Sequence, residues 1–212
     1  MSVRIVIADD HDMIRKGLRM TLEIHEELTV VGEAANGREA LAQAEALAPD
    51  VVIMDISMPE LNGIEATRLI CQRLPGVKVL IFSMHYSSEH CFRALSSGAR
   101  GYILKESAGE EIVTAVRSVM RGRHYFGAGV ENPLEKSGSA ARKSPLERLS
   151  QREREIFQLV VEGKSSAEIA RMLTLSSKSI DTYRCRLMQK LGINNLPALV
   201  HFALQHGITP AK

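Results

Sequence analysis

Four short apolar runs in this chain each end on a side chain that carries chemistry. Val3–Ala8 is followed by Asp9 and Asp10, Val51–Met54 by Asp55, residues 77–82 by Ser83, and Gly101–Leu104 by Lys105. Runs this rich in Val and Ile, separated by helical stretches, have the pattern of strands buried on both faces of a parallel sheet. A further strand is expected at 29–34, and helices near 12–25, 37–48, 62–73, 87–97 and 107–121. Asn62-Gly63 and Gly98 punctuate the connections, and Ser107-Ala108-Gly109-Glu110 has the form of a capping box for the last helix. Five strand–helix units give a five-stranded α/β/α sandwich of the flavodoxin-like kind over residues 1–122. Ligands of such sheets sit beyond the carboxyl ends of the strands. The fold would therefore deliver three carboxylates, a hydroxyl and an ammonium to one crevice.

The 212 residues suit one or two domains, and the net charge of +2 is unevenly spread. Residues 1–126 carry 14 Lys/Arg against 17 Asp/Glu, and residues 145–212 carry 10 against 6, so the first part is acidic and the second basic. A basic second part points to an anionic polymer as partner. The cysteines, Cys71, Cys91 and Cys185, are far apart and odd in number, and no Cys/His pair has zinc-ligand spacing. The first apolar run is short and ends in two aspartates, which is not a signal peptide. No stretch approaches the roughly 20 apolar residues of a membrane span. A cytoplasmic protein with reduced thiols and no membrane association is expected.

Residues 123–147 are expected as a flexible linker, because Gly, Ser, Ala, Pro and charges dominate from 127 to 146 with little to bury. Residues 148–212 read as a small all-α domain of four helices. Ser150-Gln151-Arg152-Glu153 and Ser165-Ser166-Ala167-Glu168 are capping boxes. A turn at Thr174-Leu175-Ser176 precedes a third helix that stops at Gly192, and a fourth helix runs from about 196 to Gly207. Two short helices joined by a tight turn, the second of them basic, have helix-turn-helix grammar. On the third helix Ile180, Leu187 and Leu191, with Tyr183 beside them, fall on the core side. Asp181, Thr182, Cys185 and Arg186 fall on or beside the outer face, and Lys178, Ser179, Arg184 and Lys190 are candidates for phosphate or groove contact with double-stranded DNA.

Carboxylates gathered in one pocket repel each other and need a cation or raised pKa values. A hard divalent ion such as Mg²⁺ suits oxygen ligands. Asp10 and Asp55 would hold it directly, the backbone carbonyl of Ser57 would be a third ligand, and Asp9 would act through water. Asp55 would then be a nucleophile toward a phosphoryl group, with Ser83 and Lys105 holding the transferred oxygens. An aspartyl phosphohydrolase of the haloacid-dehalogenase kind is an alternative, but it wants a second Asp where this chain has Ser57. A dinucleotide site wants G-x-G-x-x-G where this chain has Asp9-Asp10-His11-Asp12.

The pair Asp9-Asp10, the segment Asp55-Ile56-Ser57-Met58-Pro59-Glu60-Leu61-Asn62-Gly63, Ser83 and Lys105 resemble the receiver domain of two-component response regulators. Residues 149–156, Glu162-Gly163-Lys164-Ser165, Glu168-Ile169-Ala170, Leu175-Ser176 and 179–192 resemble the DNA-binding domain of the LuxR/NarL/FixJ family. The resemblance spans nearly all of the chain outside the linker. It implies a transcription regulator that accepts a phosphoryl group on Asp55 from a sensor histidine kinase in a Mg²⁺-dependent step. Such a protein is not a turnover enzyme and at most dephosphorylates itself slowly. Ser83 and Tyr102 would be the switch pair, with Tyr102 turning inward; a half-buried Tyr102 with its hydroxyl at the surface is the competing reading. Phosphorylation would change domain contacts, pair two chains through the fourth helix of the second domain, and alter promoter binding, with RNA polymerase a further partner. A regulator with a degenerate, unphosphorylated receiver is the other alternative. Two positions depart from the simplest expectation. Glu106 follows Lys105 where many receivers have a cis proline, and His85 lies two residues past Ser83, near the expected pocket rim.

Overall fold

The computed structural model describes residues 2–84, 86–107, 109–132, 145–206 and 208, in two compact units that divide near residue 139. The first unit is a parallel sheet of β1 (Val3–Ala8), β2 (Leu28–Ala34), β3 (Val51–Met54), β4 (Lys78–Ser83), β5 (Gly101–Leu104) and β6 (Tyr125–Phe126), in the order β2-β1-β3-β4-β5-β6. The helices are α1 (Asp12–Glu23), α2 (Gly37–Leu47), α3 (Gly63–Arg73), α4 (Ser88–Ser96) and α5 (Glu110–Met120).

Alternation along the strands explains the three layers, since successive side chains point to opposite faces. Val6, Ala8, Val52, Met54, Val79, Ile81, Tyr102 and Leu104 pack on one face, in a core shared with α2, α3 and α4. Ile5, Ile7, Val51, Ile53, Leu80, Phe82 and Ile103 pack on the other, against α1 and α5. β3 and β5 are apolar throughout, and β1 and β4 nearly so, because both faces are covered.

Three expectations need correction. The sheet has six strands rather than five. Tyr125 and Phe126 belong to the stretch read as linker, yet they pair with Gly101 and Tyr102, and both pack against the core clusters. Two half-buried aromatics gain enough by covering the sheet edge to extend the domain past residue 122. The capping box at the start of α5 does not form. Gly109, at φ 103°, is the N-cap without a side-chain bond, and Lys105–Ser107 make a short 3₁₀ turn before it. Ala108, His85 and residues 133–144 of the linker lie outside the described residues. The Lys105–Glu106 peptide is trans, since the described residues hold no cis bond.

The second unit is helical: α6 (Gln151–Val161), α7 (Ser166–Leu173), α8 (Ser177–Leu191) and α9 (Leu196–Gln205). Both expected capping boxes are present, at Ser150 and Ser165. Thr174, in the left-handed region at φ 54°, turns the chain from α7 into α8, and Gly192 at φ 69° ends α8. Ile156, Phe157, Ile169, Leu173, Ile180, Leu187, Leu199 and Ala203 form its core. Leu146, in a 3₁₀ turn at Pro145–Arg148, is buried in that core, so the domain begins before residue 148. Gly207, read as the end of the last helix, lies outside the described residues. Among them no helix is long and apolar enough to cross a membrane.

Candidate functional site

The strand order reverses between β1 and β3, and there the carboxyl ends of the strands open the crevice in which open α/β sheets bind ligands. Register sets who meets there. Ala8 pairs with Met54, and the Asp55 amide donates to the Ala8 carbonyl at 2.8 Å, so Asp9 and Asp55 leave adjacent strands side by side. Ser83 pairs with Leu104, which brings Lys105 to the same end of the sheet.

Lys105 is the hub. Its Nζ lies 2.6 Å from Asp9 Oδ2 and 3.0 Å from Asp55 Oδ2, and all three side chains are almost wholly buried. Asp55 Oδ1 has no donor among the described residues. Asp9, Asp10, His11 and Asp55 each bring a ligand atom within 4.8 Å of the others. His11 was not among the residues expected to take part. Burial pushes the Asp55 carboxyl up; Lys105 opposes the shift, and the charges of Asp9 and Asp10 add to it. A carboxyl raised in the folded state contributes stability below its unfolded value and loses it as pH rises, so the ionised Asp55 is held at a cost at neutral pH. A cation in the crevice offsets that cost. The donor set fits a hard divalent ion: three carboxylates and, at exposed Ser57, a backbone carbonyl that accepts no hydrogen bond among the described residues.

The start of α3 shapes the crevice from below. Asn62 caps the helix by accepting from the Glu65 amide at 3.0 Å, and the Gly63 amide donates to the Ile56 carbonyl at 2.9 Å. A Cβ at Gly63 would sit 1.8 Å from the Asp55 carbonyl oxygen, so only glycine lets the helix begin this close to Asp55.

Ser83 is buried and shares a hydrogen bond with the Tyr102 hydroxyl. Tyr102 is 0% exposed and meets Tyr86 edge-on, with ring centroids 6.4 Å apart. The surface reading of Tyr102 is therefore wrong. Apolar neighbours in the α4-side core take up the ring, and burial pushes the phenol up to about 12.

In the second unit α8 presents Lys178, Asp181, Thr182, Cys185 and Arg186 as exposed side chains, while Ser179 and Arg184 are half-buried. Ser166 of α7 was not singled out, yet it ties the helices together. Its Oγ donates to Asp181 Oδ1 at 2.7 Å and accepts from Arg184 Nη1 at 3.0 Å. Ser179 is engaged at the helix start, where Ser176 caps its amide at 3.1 Å.

Lys190, a candidate groove contact, has a partner within the unit: its Nζ is 2.6 Å from Glu153 Oε2, a carboxylate on α6 with 4% side-chain exposure. Burial alone would raise the Glu153 carboxyl, but the Lys190 ammonium and the Ser150 donors outweigh it and hold the group below its ordinary value. The pair thus adds stability above the ordinary glutamate value near 4.5 and loses it as pH falls through the lowered one. Lys190→Met leaves that carboxylate short of its strongest partner. It is expected to cost about 1–3 kcal/mol, read as a lower urea midpoint for the second unit; an unchanged midpoint would mean the pair holds nothing together.

Sheet, crevice and helix-turn-helix unit together define a two-domain signalling regulator. A family model described as the response regulator receiver domain matches residues 5–117, and one described as bacterial regulatory proteins, luxR family, matches residues 147–203. The response regulator UvrY of Escherichia coli O6:H1 is 36% identical over 212 residues, covering 99% of this chain and 97% of its own. The oxygen regulatory protein NreC of Staphylococcus carnosus is 38% identical over 211 residues, covering 96% and 97%. The solved structure of the response regulator RcsB in complex with DNA aligns at a TM-score of 0.59 with 27% identity, covering 96% of this chain and 98% of that one. A second structure shows two RcsB dimers bound to two parallel DNAs, at the same TM-score and 28% identity. The chain belongs to the two-component response regulators of the LuxR family. Its function is that of a DNA-binding transcription regulator controlled by phosphorylation.

Proposed function

We propose that Asp55 is the phosphoacceptor and that the exposed face of α8 is the DNA-reading surface. The observation that carries the first assignment is Lys105, buried between Asp9 and Asp55 at the ends of two adjacent strands. An ammonium so placed can hold an oxygen of an incoming phosphoryl group while Asp55 attacks the phosphorus. Asp10, Asp55 and the Ser57 carbonyl would hold Mg²⁺, with Asp9 nearby. When bound, the ion supplies positive charge that screens donor from carboxylate. Asp55 loses no atom in the transfer; its oxygen gains the phosphoryl group as the bond to the donor breaks.

Ser83 is the group whose bond to Tyr102 can exchange for one to the phosphoryl oxygens. That exchange would bias the face around β5 and α4 between two populations. The partners we propose are a sensor histidine kinase, promoter DNA, a second copy of the chain and, at the promoter, RNA polymerase, all within the cytoplasm. Exposed Leu196 and Leu204 on α9 offer apolar surface for pairing two DNA-binding domains. The protein would be a phosphoacceptor with slow self-dephosphorylation. The alternative of a turnover phosphohydrolase has nothing in its favour at Ser57.

On α8, Lys178 and Arg186 are exposed cations, as is Lys190, which pairs with Glu153. Replacing Lys178 or Arg186 by Ala is expected to weaken binding to a mixed-sequence 30-base-pair duplex and to lower the slope of log K against log salt by about one. Fluorescence anisotropy across a salt series reads both. Slopes identical to wild type would remove α8 from the interface.

A further inference from the structure

We propose that His11 is a positioning residue for the divalent-ion site, fixing the Asp10 carboxylate before the ion arrives. The inference rests on the reading of the acidic crevice given above. His11 occupies the N-cap of α1, a position whose side chain ordinarily turns back onto the helix amides, yet it makes no cap bond. Its ring turns toward the acids instead. Nδ1 is 2.7 Å from Asp10 Oδ1 and 3.3 Å from Asp9 Oδ1, and the His11 backbone amide donates to Asp9 Oδ1 at 2.9 Å.

Ionised carboxylate oxygens only accept hydrogen bonds, so the chemistry of the contact makes Nδ1 the protonated nitrogen. The ring hydrogen bond runs to Asp9 Oδ1, and the same nitrogen lies in 2.7 Å contact with Asp10 Oδ1, so one group spans two acids that would otherwise repel. The contact occupies Oδ1 of Asp10 and leaves Oδ2 as the oxygen available to an ion. Asp10 is the most exposed of the three acids, with a side chain 30% exposed against 1% for Asp9 and 3% for Asp55. It is the acid with most rotational freedom to lose. Lys105 fixes Asp9 and Asp55 from the buried side, and His11 is the group that fixes Asp10 from the outer side. Partners that orient a metal ligand typically contribute 10–100-fold to metal affinity.

The test is isothermal titration of the full chain with MgCl₂, on wild type, His11→Ala and His11→Asn. Asn carries an amide N–H in place of Nδ1–H and can keep the contact with Asp10. The expected result is about a tenfold weaker Mg²⁺ affinity for His11→Ala, with most of the loss recovered by His11→Asn. Thermal melts of the three proteins separate any change in α1 stability from the change in ion binding. Mg²⁺ affinity for His11→Ala within twofold of wild type would overturn the proposal, and so would an Asn variant as weak as the Ala one. A wild-type chain that takes up no Mg²⁺ would overturn the reading of the crevice itself, which is a distinct result.

Discussion

Asp55→Asn is expected to abolish phosphoryl uptake completely. Incubated with Mg²⁺ and a small acyl phosphate, the wild-type chain should gain one labile phosphoryl adduct by intact-mass spectrometry, and the variant none. The substitution keeps the shape of the side chain, its place at the end of β3 and its backbone bond to Ala8, and replaces a carboxylate oxygen, with the charge that Lys105 and the ion would meet, by an amide that is no nucleophile. It also removes a buried charge that burial and two neighbouring carboxylates make costly, so the variant should fold at least as well as wild type. Loss of the adduct can then be assigned to chemistry. An adduct of equal yield on Asp55→Asn would move the phosphoacceptor elsewhere.

Gly63→Ala is the second large effect, and it acts through the backbone. The added methyl would lie 1.8 Å from the Asp55 carbonyl oxygen and 2.8 Å from its carbonyl carbon. Neither atom is the end of a flexible side chain, so α3 or the end of β3 has to move. Forced overpacking of this kind costs about 3 kcal/mol, which in a unit of this size lowers the melting temperature by roughly 10 °C. Because the displaced atom belongs to Asp55, the variant should also phosphorylate poorly at temperatures where it is still folded. A melting temperature and an adduct yield both equal to wild type would show that the loop between β3 and α3 yields freely.

What was legible in the sequence was whatever local pattern controls. The runs that became β1, β3, β4 and β5 are apolar because helices cover both faces, and Asp9, Asp55, Ser83 and Lys105 converge because strands of one parallel sheet end together. The capping boxes at Ser150 and Ser165 formed as their residues dictate. Tyr125 and Phe126 were not legible as a strand, because two residues carry no periodicity and their partner is the edge of a sheet built earlier in the chain. Ser107 failed as a cap because it closes the 3₁₀ turn at Lys105–Ser107, and α5 takes Gly109 as its N-cap instead. Contacts made across the fold left no trace either. Lys190 read as a candidate for phosphate or groove contact, and only the packing of α6 on α8 shows Glu153 beside it. Ser166 read as part of a capping box, and its bonds to Asp181 and Arg184 arise from the α7–α8 crossing. His11 did carry a signal, an imidazole directly after two carboxylates at a helix start.

A phosphoryl group on Asp55 is expected to change how α8 meets DNA. The most direct measurement is fluorescence anisotropy with a duplex selected from a random library by the phosphodonor-treated protein. Wild type and Asp55→Asn would each be titrated with and without Mg²⁺ and the phosphodonor. The donor is expected to change wild-type affinity at least fivefold, the lower end of typical couplings between sites, and to leave the variant unmoved. Equal affinity in all four titrations, with the adduct present on wild type, would contradict this.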